Sequence, residues 1–136
     1  VVTRLLPHTA DFSVEVEAPT KQALFSEFAR ALTDLMVEGE VRISRQEAIS
    51  LMAADPPSLL VCFLNELIFL WEDRCFLTKE VRFDEWKRLS LRAVFLGETF
   101  CPDRHRLSHE VKAATYHQLR LARIGRLWRG QVLFDV

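Results

Sequence analysis

Apolar and polar positions run along this chain in two rhythms, and the switches between them mark its elements. Residues 3–6 are short and extended, and Pro7 to Asp11 is polar and turn-like. Phe12, Val14 and Val16 then alternate with Ser13, Glu15 and Glu17, the period-two pattern of a strand with one buried face. Ala18-Pro19-Thr20 interrupts the alternation, and Thr20 can accept from the free amides of a helix start. From Lys21 to Val37 the residues Leu24, Phe25, Phe28, Leu32, Leu35 and Met36 recur at helical spacing, predicting a helix that Gly39 ends. Val41 to Ala53 alternates weakly and is expected to be extended. Asp55-Pro56 has the form of an N-cap followed by proline at the first helical position. A second helix is predicted to about Glu72, with Leu59, Leu60, Phe63, Leu64, Leu67, Ile68 and Trp71 forming a stripe broad enough to pack on a sheet.

The remainder reads as strands. Phe76 to Phe83 is the first, and Leu89, Leu91, Ala93 and Phe95 alternate in the second. Gly97 to Ser108 is a polar loop. Glu110 to His117, Gln118 to Ile124, and Leu127 to Phe134 follow, with Gly125-Arg126 as a tight hairpin. The pattern predicts a single α+β domain over residues 1–136, in which two main helices pack on a mostly antiparallel or mixed sheet.

Composition changes this picture in a few places. A chain of 136 residues that is 49% hydrophobic and 27% charged can hold a core without metals or disulfides. The net charge of −1 gives the whole molecule no electrostatic footprint for nucleic acid. One stretch departs from that average: Tyr116 to Arg129 contains Arg120, Arg123, Arg126 and Arg129 and no acid. It is either a solvated strand face or a docking surface for RNA or an acidic partner. Cys62, Cys75 and Cys101 are odd in number and have no C-x-x-C spacing, so neither a zinc site nor a disulfide framework is expected. Free thiols, no apolar run of ~18 residues and no signal-peptide pattern point to the cytoplasm.

The usual enzymatic signatures are absent: no G-x-G-x-x-G, Walker A, H-E-x-x-H or G-x-S-x-G. His105 and His109 have i, i+4 spacing, which would bind metal only on a helix, and their stretch reads as loop. Cys62 and Cys75 could be paired with His8 or His117, but Cys62 falls in an apolar helical stripe where a thiol acts as a small hydrophobe.

Four features carry more. His8-Thr9-Ala10-Asp11 is a polar turn that places Asp11 at the mouth of a strand. It is either a turn alone or the seat of a carboxylate. The last residues, Leu133-Phe134-Asp135-Val136, bring the Asp135 side chain beside the Val136 carboxylate. Either this end frays or, if it lies near Asp11, three carboxylates converge in a set suited to a hard cation such as Ca²⁺ or Mg²⁺. In Leu64-Asn65-Glu66-Leu67 the leucines are core by spacing, whereas Asn65 and Glu66 fall toward the helix edge. Glu66 is a solvated residue or an acid aimed at a partner or metal. In His109-Glu110-Val111-Lys112-Ala113-Ala114-Thr115-Tyr116-His117, alternation would put Lys112 and Ala114 on one face. Lys112 is then a solvated strand lysine or a group for a phosphate or carboxylate.

These segments together resemble the archease family. The match runs in order from His8-Thr9-Ala10-Asp11 through Leu64-Asn65-Glu66-Leu67, Gly97-Glu98 and Glu110-Val111-Lys112-Ala113-Ala114-Thr115-Tyr116-His117 to Phe134-Asp135-Val136. Cys101, where an acidic or polar residue is expected, and Phe12-Ser13 depart from the family pattern without touching the matched acids.

The resemblance implies a non-enzymatic activator of a GTP-dependent RtcB-type RNA ligase, which joins RNA ends carrying a 2′,3′-cyclic phosphate or 3′-phosphate to a 5′-hydroxyl. Such an activator promotes ligase guanylylation and multiple turnover in tRNA splicing or RNA repair. Any RNA contact is expected to be indirect, through the ligase. The resemblance also implies a divalent cation, calcium, held by Asp11, Asp135 and Val136. It gives Lys112 and, less directly, Glu66 to ligase activation. A chaperone-like protein-interaction module is the alternative, and a large exposed apolar patch would favour it. A small hydrolase or RNA nuclease would need His8 and His117 to join an acid in one pocket.

Overall fold

The computed structural model describes the backbone of residues 1–7 and 11–136, and the side chains of 1–5 and 11–136. The expected turn at His8-Thr9-Ala10 lies outside the described residues. The order is β1 (Val2–Pro7), β2 (Asp11–Ala18), α1 (Lys21–Met36), β3 (Val37–Glu38), β4 (Arg45–Met52), α2 (Pro56–Arg74), β5 (Phe76–Trp86), β6 (Ser90–Thr99), β7 (Arg106–Leu107), β8 (Ala113–Ile124) and β9 (Leu127–Asp135).

Two helices pack on antiparallel strands, as the pattern predicts, but the strands form three sheets. One has the order β1-β2-β9-β8, one is the pair β3-β7, and one has the order β4-β6-β5. Every pairing is antiparallel. Helix α1 packs against β2, β5 and β9, and α2 against β4, β5 and β8, so each helix touches both larger sheets. This explains the breadth of the α2 stripe, in which Leu59, Leu60, Val61, Phe63, Leu64, Leu67, Ile68 and Leu70 are all buried. A helix covered on several sides loses the narrow amphipathic face of a surface helix. The Phe63 ring packs at the centre of the core against Phe25, Phe83 and Phe95. Truncating such a ring to alanine typically costs about 3–5 kcal/mol.

Both helix starts follow the expected chemistry. Thr20 Oγ1 accepts from the Ala23 amide at 3.0 Å, and Asp55 Oδ1 accepts from the Ser58 amide at 2.8 Å. The end of α1 differs from expectation. It stops at Met36, before Gly39, because Val37 turns extended (φ −141°, ψ 152°) and pairs as β3 with β7. That pairing also corrects the loop expected over Gly97 to Ser108. Gly97, Glu98 and Thr99 finish β6, and Arg106–Leu107 form β7. Glycine is required at 97: a Cβ there would come within 1.8 Å of the Leu77 carbonyl oxygen.

The two strands expected at 110–117 and 118–124 are one strand, β8, that begins at Ala113. Its register jumps between Thr115 and Arg120, and Gln118 adopts φ +55°, so the expected break survives as a bulge within one strand. Strand β9, separated from β2 by most of the chain, lies between β2 and β8.

Candidate functional site

The four-stranded sheet ends in a group of polar residues. Asp11 and Asp135 are direct cross-strand partners at the last register position of β2 and β9. Residues opposite each other on antiparallel strands project to the same face with Cβ atoms about 5 Å apart, and like charges in that position repel. Asp11 is half-buried and Asp135 exposed. Neither forms an ion pair with a Lys, Arg or His among the described residues. Ala113 also pairs with Asp135, and the Lys112 amide donates to the Asp135 carbonyl at 2.8 Å. Lys112 is therefore drawn to the same sheet end, with its side chain exposed.

Lys112 stands one residue before β8, which alters the expected alternation. Val111 and Ala114 are the buried residues of this segment, at 3% and 4% exposure. Asn65 holds it in place. Its carboxamide accepts from the Ala114 amide at 2.8 Å and donates to the Ala114 carbonyl at 3.1 Å. The side chain thus stands in for a further strand on the outer edge of β8 and satisfies both backbone groups of a buried residue. Glu66, next to it, is half-buried, and the structure gives it no hydrogen bond to Asp11, Lys112 or Asp135 among the described residues. Asp11, Lys112 and Asp135 are brought together; Glu66 is not joined to them.

Among the described residues, no three His, Cys, Asp or Glu side chains stand together as a metal cage. A cation here would take Asp11, Asp135 and oxygens of the half-buried Val136. Two opposed carboxylates suit a hard cation, which takes oxygen ligands.

A second acidic cluster was not legible in the sequence. Glu98 is 5% exposed. It accepts from the Arg104 guanidinium through both carboxylate oxygens, 2.9 Å at one of them, and from the Arg42 amide at 2.6 Å. His105 Nε2 lies 3.3 Å away. The Arg104 guanidinium, first, and then the Arg42 amide hold the Glu98 carboxyl down at about 2, against the opposing effect of burial. His105 Nδ1 accepts from the Cys101 amide at 2.8 Å, which leaves Nε2 as the protonated nitrogen, 2.9 Å from the Glu40 carbonyl. Both ring nitrogens are engaged within the fold. His109 is exposed elsewhere, its ring edge-on to Phe12, so the two histidines do not form a metal pair. The one sequence signal was Gly97-Glu98 with Arg104 and His105 across a proline-containing turn.

Catalytic groupings fare no better among the described residues. The three cysteines are free, and Cys75 is the exposed C-cap of α2 at φ +53°. A cleft of about 430 Å³ is lined by Arg30, Thr33, Asp34, Glu40, Thr78 and Glu80, with no His or Cys. No described helix is long and apolar enough to cross a membrane.

Fold and site together define a small α+β domain whose polar groups gather at the end of one sheet. The chain belongs to the archease family: residues 4–136 match the Archease protein family (MTH1598/TM1083). It is 34% identical over 137 residues to the Protein archease of Methanosarcina acetivorans, covering 96% of this chain and 93% of that one. With the Protein archease of Pyrococcus furiosus the identity is 34% over 139 residues, covering 95% and 94%. The solution structure of Methanobacterium thermoautotrophicum protein 1598 is similar, with TM-score 0.82, 25% identity and 98% of both chains covered. The crystal structure of a Thermotoga maritima archease, described as a possible chaperone, shares the fold with TM-score 0.67 and 19% identity, covering 100% of this chain and 98% of that one.

Proposed function

We propose that this chain is an accessory activator of a GTP-dependent RtcB-type RNA ligase, promoting ligase guanylylation and multiple turnover in tRNA splicing or RNA repair. The observation that carries the reading is the convergence of Asp11, Lys112 and Asp135, all in family-matching motifs, at one end of one sheet. A divalent cation, calcium by family resemblance, takes oxygens from Asp11, Asp135 and Val136 and relieves the repulsion between the two aspartates. Lys112, exposed beside them, presents an ammonium to a phosphate or carboxylate of the partner. Glu66 stays a weaker candidate, since nothing ties it to the cluster. The ligase supplies the active site and the covalent chemistry in the cytoplasm; this chain supplies charged groups on a rigid sheet end.

Ligase guanylylation and multiple turnover, measured with the wild-type chain and with Asp135→Ala and Lys112→Ala, test the reading. Both variants are expected to lose most stimulation while keeping wild-type stability. Full stimulation by both would end it. The chaperone-like alternative has less support, because the exposed large apolar residues are spread over β1, β4, α2, β7 and the β8–β9 hairpin, where Ile124 pairs with Leu127.

A further inference from the structure

From the charge and shape of the β8–β9 hairpin we infer that it binds single-stranded RNA directly, with the bulge at Tyr116 and His117 stacking bases and Arg120, Arg123 and Arg126 holding phosphates. The chain carries 18 Lys and Arg against 19 Asp and Glu. Residues 111–134 hold five of those cations and none of the acids, leaving 13 cations against 19 acids elsewhere. The near-zero net charge therefore conceals a basic hairpin on an acidic body.

Among the described residues, the strand arginines outside the hairpin, Arg106 on β7 excepted, meet a carboxylate. On β1 and β2, Arg4 meets Glu15 and Glu17. On β5 and β6, Arg82 meets Asp84 and Arg92 meets Glu85. On the hairpin, among the described residues, only Arg129 is answered, by Glu17. Arg120 and Arg123, on opposite faces of the sheet's edge strand β8, and Arg126 in the turn after it are exposed and have no carboxylate within ion-pair distance among the described residues, so a ligand that meets all three follows that edge. Arg123 donates Nε to the Gly125 carbonyl, which leaves its terminal nitrogens for a ligand.

The bulge is the second observation. Thr115 pairs with Leu133 and Arg120 with Gln131, so residues 116–119 are accommodated opposite Val132 alone. Gln118 takes φ +55°, a conformation that costs a non-glycine residue about 1–2 kcal/mol. Tyr116 is thereby left 61% exposed, with His117 and Gln118 also exposed. Strain that displays an aromatic ring on the same edge strand as unpaired arginines serves a ligand with both a flat face and a negative backbone. Single-stranded RNA offers unstacked bases and phosphates together. An acidic polypeptide would use the arginines and leave the ring idle.

The inference uses neither the ligase nor the carboxylate cluster, so its failure leaves the activator reading intact. The test is fluorescence anisotropy with the full chain and a labelled 12-nucleotide oligouridylate. Log affinity is expected to fall with log salt at a slope of about −2, as three phosphate contacts require. The triple variant Arg120→Gln/Arg123→Gln/Arg126→Gln should bind at least tenfold more weakly with a flatter slope. Tyr116→Ala should lose about tenfold, and Tyr116→Phe, which keeps the ring, should bind like wild type. Binding unaffected by Tyr116→Ala, equal binding of a duplex, or equal displacement by polyglutamate would each overturn it, the last in favour of an acidic protein partner. No binding by the folded wild-type chain would overturn it outright.

Discussion

Glu98 and the Asp11–Asp135 pair are both acidic groups carried by sheet ends, yet their surroundings are opposite. Glu98 is buried and accepts from the Arg104 guanidinium and the Arg42 amide, two separate chain segments, with His105 Nε2 3.3 Å away. The Asp11 and Asp135 carboxylates receive none of these from the described residues, and the two residues face each other across adjacent strands. A buried charge without partners would cost several kcal/mol, so the Glu98 cluster has to be complete for the chain to fold. A partly solvated pair can remain incomplete, because water screens it at modest cost. The fold thus spends its arginines on the acid that burial would penalise. It leaves the other acids available to something from outside.

Breaking the complete cluster should have the largest effect. Glu98→Ala strands the Arg104 guanidinium and the Arg42 amide, and is expected to lower unfolding free energy by about 3–5 kcal/mol in urea titrations. Wild-type stability itself should follow the Glu98 carboxyl. Its folded value, about 2, lies below the unfolded value of about 4.5, so this contribution is full above the unfolded value. It is lost as pH falls toward 2, a decline of about 2–3 kcal/mol. Glu98→Gln should flatten that decline, and a decline unchanged in the variant would place its origin elsewhere.

Asn65→Ala tests how the Lys112 segment is positioned. The Ala114 amide and carbonyl would lose their partner, costing about 1–3 kcal/mol, and hydrogen exchange at Ala114 should accelerate more than at Phe134. The smallest stability effect belongs to the open cluster. Asp135→Asn removes one of two facing charges and should raise stability in chelator by at most about 1 kcal/mol. The same change should abolish any rise in melting temperature that calcium gives the wild type. Equal calcium stabilisation of both proteins would break the contrast between a complete and an open cluster.

How much of this was legible depended on the distance over which each feature is assembled. Local chemistry was readable: Thr20 and Asp55 cap within three residues of themselves, and the stripes of both helices follow from spacing. Helix α1 ends at Met36 and not nearer Gly39 because Val37 is claimed by β7, seventy residues later, and strand pairing outcompetes a glycine stop. The polar character of 97–108 suggested loop because Glu98 had no visible partner. Its partners Arg42 and Arg104 reach it only once β3 meets β7 and β6 closes against β4. Asn65 looked like an edge residue for the same reason: its partner is a backbone 49 residues away. The meeting of Asp11 with Asp135 depends on β9 lying beside β2, which periodicity does not encode.

The position of β9 has a consequence for how the molecule is made. Strand β2 emerges early from the ribosome, but its neighbour in the sheet is the strand ending at Asp135. Until that segment clears the exit tunnel, β2 has β1 as its sheet neighbour and one edge open, and the inner faces of Val14 and Val16 lack their cover from Val132 and Gly130. The sheet end bearing Asp11 is therefore assembled only after translation has passed residue 135. A chain truncated before β9 would carry the first half of the site without the second.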